Sequence, residues 1–264
     1  MKALFLCVNY HSYRELAVFR ESIKQALACA PDSVEAELHI ADNTDTGFEE
    51  ISPADDPRWR VRSYPLHRNI GYLPALEYLM GQSPGLREGK FDFVIFSNVD
   101  VQVAKDFFSK LAAVSLPPDT GWIAPAIESE YEGRDRNPGM IRRPTRCRLE
   151  LCRIMFHFPS LYRWYHHQVY LRSGSTGKAV ADIIYAGHGS FMIFTRKFMM
   201  TYPAISYPAF LFCEEIFLAE LLRRCGLKCV YRPEIRITDL DHVSTSKMDS
   251  RTYFRARRES LRAV

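Results

Sequence analysis

The sequence predicts an α/β fold: a mostly parallel central sheet flanked by helices, with a helical and loop insertion on one side. Three observations predict it. Strand-like and helix-like segments alternate through the first half of the chain. The strand-like segments are continuous apolar runs, as strands buried on both faces require. Each of the principal runs stops at a short polar residue, Asn9, Asp42 or Asp100, and in open sheets ligands bind outside the carboxyl ends of the strands.

Ala3 to Val8 is the first apolar run. Ser12 and Glu15 then form an S-x-x-E capping box, and Leu16, Phe19, Ile23 and Leu27 follow at helical spacing. Leu38 to Ala41 is a second strand, ending at Asp42-Asn43, and Trp59 to Tyr64 a third. Pro74 suits the first turn of a helix running to Met80. Phe91 to Phe96 is the fourth strand and runs into Ser97-Asn98-Val99-Asp100; Lys105 to Val114 has helical spacing. Strand and helix in this order imply right-handed crossovers. The second half is less regular. Residues 128–145 read as a loop, 190–195 as a strand, Glu214 to Cys225 as a helix stopped by Gly226, and Cys229 to Arg232 and Ile235 to Ile237 as two short strands.

Composition narrows the function classes. Of 264 residues, 47% are hydrophobic and 25% charged, as in ordinary globular domains. No apolar run reaches the roughly 18–20 residues that span a bilayer. The start, MKALFLCVNYHSYRE, reads as a buried strand rather than a signal peptide. Seven scattered cysteines lack any paired CxxC pattern, so reduced thiols and a cytoplasmic location are expected. A net charge of +4 is small for nucleic-acid binding, but arginines crowd residues 142–172 and 251–262. A basic-aromatic nucleic-acid binder therefore stands as a weaker alternative. No G-x-G-x-x-G follows the first strand, against a dinucleotide oxidoreductase. No Gly-rich phosphate loop with a lysine follows it, against a sugar nucleotidyltransferase.

Two segments carry candidate chemistry. In FDFVIFSNVDV, Asn98 and Asp100 place two oxygen-bearing side chains one residue apart. They suit a divalent cation that also holds a diphosphate; the other reading is an Asn/Asp turn after a strand. In FLFCEEIFLAELLRRCG, Glu214 and Glu215 open a helix. One of them in a cleft could take a proton from a hydroxyl; the other reading is a pair of helix N-terminal acids. Residues 146–171 interleave Arg and His with apolar and aromatic side chains, which fits either a membrane-surface helix or a lid over an acceptor.

Read in order, Asn9-Tyr10, Asp42-Asn43, Asn69-x-Gly71, Asn98-x-Asp100, Gly187-x-x-Ser190-Phe191-Met192 and Glu214-Glu215 resemble the family 2 glycosyltransferases, nearest to a bacterial rhamnosyltransferase-like branch. The resemblance runs from about Ala3 to Ser246. It implies a GT-A fold with a Rossmann-like sheet as a single domain over 1–264. Residues 1–125 would be the nucleotide-sugar half, 126–246 the acceptor and catalytic half, and 247–264 a basic tail. It further implies that Asn9, Tyr10, Asp42, Asn69, Gly71, Asn98, Gly187 and Ser190 contact a UDP- or dTDP-type sugar donor. Asp100 would hold manganese or magnesium, with Asp239 or His242 as a further ligand, and Glu215 would be the base, backed by Glu214. The implied reaction is an inverting transfer to a saccharide or lipid-linked saccharide in surface polysaccharide synthesis, at the inner face of the membrane. The chain departs from the pattern where Asn98 replaces an Asp, Glu215 replaces an Asp and Phe217 stands where relatives carry a second acid. Those departures leave a degenerate, non-catalytic sugar-nucleotide binder as the principal alternative.

Overall fold

The computed structural model describes residues 1–158, 160–162, 164, 182–240 and 250–264. The strands are β1 (Lys2–Asn9), β2 (Glu35–Asp42), β3 (Ala54–Asp55), β4 (Trp59–Pro65), β5 (Phe93–Ser97), β6 (Val101–Val103), β7 (Thr120–Ser129), β8 (Ile183–Ile184), β9 (Phe191–Thr195) and β10 (Lys228–Asp239). The helices are α1 (Tyr13–Ala28), α2 (Tyr72–Gly81), α3 (Pro84–Arg87), α4 (Phe107–Ala113), α5 (Arg146–Met155), α6 (Arg196–Thr201), α7 (Glu214–Arg224) and α8 (Ser250–Ser260). Among the described residues the strands form one sheet in the order β3-β4-β2-β1-β5-β9-β7-β10-β6, with β8 beside β10.

The expected parallel arrangement holds for β4, β2, β1 and β5. β9 then reverses, antiparallel to both β5 and β7, and the pair β7 and β10 is parallel again. This mixture is common in large α/β sheets. Side chains on β1 alternate between two apolar layers. Phe5 meets Phe19 of α1, Phe107 and Phe108 of α4, and Phe191. Leu4 and Leu6 join α2, α6 and α7 on the other face. Removing a buried Phe such as Phe5 typically costs about 3–5 kcal/mol, so this layer fixes the strand ends firmly.

Two expectations need correction. Ser12 caps α1 by position only: its hydroxyl donates to Tyr10 O (3.2 Å) and no side chain bonds the helix N-terminus. The two short strands at 229–237 are one long strand, β10, with an irregular register between Arg232 and Arg236. β7 escaped the sequence reading because Pro125 interrupts it. Pro125 sits opposite Arg232 at that same irregularity, where a residue without N–H is tolerated.

Candidate active site

Strand register gathers the polar residues at one edge of the sheet. Asn9 pairs with Asp42 across β1 and β2, and Cys7 with Ser97 across β1 and β5. Asn43 and Asn98 therefore emerge at the same edge, on either side of β1. β9 runs the opposite way, so it is the residues before it, Gly189 and Ser190, that reach this edge; Asn98 N donates to Ser190 O (2.9 Å). β10 ends beside β6, and Leu240 N donates to Asp100 O (2.9 Å).

A cavity of about 450 Å³ opens there, lined by Tyr10, Asn43, Asn69, Gly71, Tyr72, Asn98, Asp100, Arg136, His188, Gly189, Ser190, Leu211, Phe212, Glu214, Glu215 and Asp239 among others. Asp100 and Glu215, 115 residues apart in number, thus share one wall system. Asp239 is 2% exposed, and its Oδ2 accepts from Arg136 Nη1 at 2.8 Å. Burial and the nearby Asp239 push the Asp100 carboxyl up to about 6, against the pull of an Asn98 hydrogen bond and of Arg136. Burial and Glu215 push Glu214 up to about 8. Glu214 Oε1 accepts from the Phe212 backbone N–H at 2.8 Å. Glu214 is thus tied to its own turn, while Glu215 lies against Gly189: a Cβ on Gly189 would stand 2.5 Å from Glu215 Oε1. A side chain at position 189 would push that carboxylate from its present place.

Gly71 has a similar steric reason. Its φ is +96°, and a Cβ there would fall 2.1 Å from Phe210 O. Asn69 Oδ1 accepts from Gly71 N (3.0 Å) and Asn43 Nδ2 (3.1 Å). Asn43 Nδ2 also donates to Gly71 O (3.0 Å), while Asn43 Oδ1 has no hydrogen-bond partner among the described residues.

The remaining sequence candidates are placed differently. Asn9 and Asp42 are both fully enclosed. Asp42 Oδ1 accepts from Asn9 Nδ2 (3.1 Å) and Thr44 N (3.1 Å), and Oδ2 from Tyr13 Oη (2.9 Å). The pair stands behind the cavity wall, and Asn43 faces it instead. Gly187 is also behind the wall, where a Cβ would meet Ala124 at 2.9 Å. His242 and residues 165–171 of the basic-aromatic stretch lie outside the described residues.

Several lining residues were missed. His188 sits between two glycines in a segment already singled out, so a signal existed. Its Nδ1 lies 2.9 Å from Ser190 Oγ and 3.3 Å from Ser190 N. Burial pushes the ring's pKa down, while Glu215 pulls it up. Tyr72 opens α2, where its hydroxyl donates to Gly189 O (3.4 Å); nothing in the helical pattern marks it. Arg136 lies in a segment without periodicity, and only the chain's return 103 residues later brings Asp239 to it.

A mixed sheet of this order with a carboxylate-lined cavity at its strand ends defines a GT-A fold, matching glycosyltransferases of solved structure. S. aureus TarS 1–349 in complex with UDP-GlcNAc superposes with a TM-score of 0.57 at 12% identity, over 94% of this chain and 62% of that one. GalNAc-T7 with UDP, GalNAc and Mn2+ gives 0.54 at 12% identity, over 92% and 44%. The mannosyltransferase PcManGT from Pyrobaculum calidifontis, in complex with GDP-Man and Mn2+, gives 0.52 at 12% identity, over 92% and 58%. At such identities the likeness is one of fold, and the chain spans 44% to 62% of those chains' lengths. No protein-family model and no curated protein matches the chain.

Proposed function

We propose that this chain is an inverting, metal-dependent glycosyltransferase of the family 2 type, moving a sugar from a nucleoside-diphosphate donor to a hydroxyl acceptor. One observation carries the reading: on a GT-A fold, Asp100, Asp239 and Glu215 line a single cavity. The neighbours of solved structure hold UDP, UDP-GlcNAc or GDP-Man, which supports a nucleotide-sugar ligand of the UDP or dTDP type here. Asn43 Oδ1, buried and unpartnered, supplies an acceptor for such a ligand.

The donor set fits a divalent cation. Among the described residues four carboxyl groups and one guanidinium line the cavity, so a divalent cation would favour an anionic diphosphate there. Asp100 and Asp239 are the protein ligands in this reading, with Asn98 beside them. Magnesium and manganese sites of this kind use one or two carboxylates and take further oxygens from phosphates and water. Among the described residues no cluster of three His, Cys, Asp or Glu gathers. Bound there, the cation would offset charge building on the departing diphosphate.

The protein's own part is positional and protic. Glu215 takes the proton from the acceptor hydroxyl as that oxygen attacks the anomeric carbon. The bond to the diphosphate oxygen breaks on the opposite face, and the nucleoside diphosphate leaves. Glu214, protonated at neutral pH and bound to the Phe212 N–H, keeps a second negative charge away from the base.

A saccharide or lipid-linked saccharide acceptor in surface polysaccharide synthesis fits this chemistry, with the rhamnosyltransferase-like branch as its sequence support. Leu151, Ile154, Phe158, Leu161 and Trp164 are exposed beside Arg146 and Arg148, which supports peripheral contact with an acidic membrane surface, the cytoplasmic face in this reading. No described helix is long and apolar enough to cross a membrane. The carboxylates of the cavity disfavour a nucleic-acid backbone as its ligand. The test is turnover. Purified protein with Mn2+ should hydrolyse or transfer from one member of a nucleotide-sugar panel, and Glu215→Gln should not. Donor binding without turnover in any acceptor screen would instead favour the non-catalytic binder.

A further inference from the structure

The turn that delivers Glu214 and Glu215 is strained and externally held. Phe212 (φ 74°) and Cys213 (φ 62°) are consecutive non-glycine residues in the left-handed region, where bulky side chains rarely sit. Such a turn persists only where its surroundings over-determine it. Within the turn, the Tyr207 hydroxyl donates to Phe212 O and Phe212 N donates to Glu214 Oε1 at 2.8 Å.

The other holds come from α8, far away in the chain. The Arg257 guanidinium lies 4.2 Å above the Phe212 ring and 5.2 Å from the Tyr253 ring. Tyr253 meets Phe212 edge-on at 5.1 Å. Ser260, fully buried, has its Oγ 3.4 Å from Cys213 Sγ and 3.0 Å from Arg257 O. The same helix is anchored beside α5: Phe254 packs on Phe156 at 6.1 Å, and Arg258 Nη1 donates to Phe156 O at 2.9 Å. Phe212 itself lines the cavity.

We infer that α8 is a clamp on the catalytic turn, and that Arg257 is a positioning residue for Glu215, acting by stacking on Phe212. The basic C-terminal residues are then part of the site's architecture rather than a solvated tail. A cation on an aromatic face supplies attraction without fixing a hydrogen-bond direction, which suits a residue whose own backbone N–H and C=O are already engaged. The inference rests on the reading of the cavity as a transferase site for its kinetic consequence, but not for its structural one.

Two measurements test it. Hydrogen exchange at the backbone of residues 210–216 should quicken in Arg257→Ala, with the rest of the sheet unchanged; unchanged exchange there overturns the clamp whatever the enzyme's activity. In the transfer assay, Arg257→Ala should lower kcat about 10–100-fold, the usual effect of misplacing a catalytic group, and leave the donor Kd within about twofold. Arg257→Lys should recover part of kcat, because it keeps a cation over the ring. The double variant Arg257→Ala with Phe212→Leu should be no slower than the worse single one, since both remove one contact. Additive losses, or an Arg257→Ala enzyme with normal kcat, would contradict the role. A wild-type protein without transfer from any donor refutes the transferase reading alone, because the exchange result still decides the clamp.

Discussion

Asp42 and Asp239 each close a strand of the same sheet, and each is almost wholly buried, at 0% and 2% exposure. Their surroundings differ in kind. Asp42 is satisfied by neutral donors, Asn9, Tyr13 and the Thr44 amide. Asp239 is held by a charge, Arg136, and shares its space with Asp100. In the first corner both carboxylate oxygens accept hydrogen bonds from within the fold. The second brings Asp239 and Asp100 together beside Arg136 at the cavity. A buried carboxylate at a strand end is therefore not by itself a ligand site; what neutralises it decides.

The comparison breaks most sharply through the base. Glu215→Gln should cut transfer by about 10²–10⁴-fold, the range of general-base catalysis. Its fold stability and its donor titration should match wild type. A variant with full turnover would move the base to Glu214.

A paired substitution sharpens the contrast between the two corners. Asp239→Asn should weaken manganese-supported donor binding about 10–100-fold, by analogy with losses at the shells of metal sites. Asp42→Asn should leave donor affinity nearly intact but lower unfolding free energy by about 1–3 kcal/mol, since an amide NH2 replaces the oxygen that accepts from the Tyr13 hydroxyl. Urea unfolding and donor titration of both proteins would show whether the effects cross in this way. The reverse pattern would exchange the two roles.

The smallest effect concerns pH. Glu214 carries its proton in the folded protein up to about 8, while an unfolded chain releases it near the ordinary 4.5. The folded state binds the extra proton, so this contribution to stability is full below 4.5 and lost as pH rises through about 8. Denaturation midpoints should therefore decline across that window, and the decline should be shallower in Glu214→Gln. Arg257 and Glu215 face the same group with opposite signs, so the Gln variant must be compared at fixed ionic strength.

How far the sequence foretold this molecule follows the same division. β1, α1, β2, β4 and β5 were legible because continuous apolar runs and helical spacing are local signals. The ends of those strands could be read for the same reason, and they supplied Asn98 and Asp100. β7 was hidden by Pro125, and β10 was split in two by Pro233. Both prolines belong to an irregular register that only the paired strand explains. Arg136 and Tyr72 became site residues through contacts across 103 and 117 positions, which no local pattern carries. The hydrogen bonds of Asp42 to Asn9, Tyr13 and the Thr44 amide were likewise not legible, because a linear reading does not supply side-chain partners.

The central claim is that one cavity joins Asp100 and Glu215 around an activated sugar. Calorimetric titration of a nucleotide-sugar panel into wild type and Asp100→Ala, with and without Mn2+, tests it most directly. Wild type should bind one donor class saturably, in a manner that needs the ion and vanishes in Asp100→Ala. Binding that ignores both the ion and the substitution, or no binding by any donor, would contradict it.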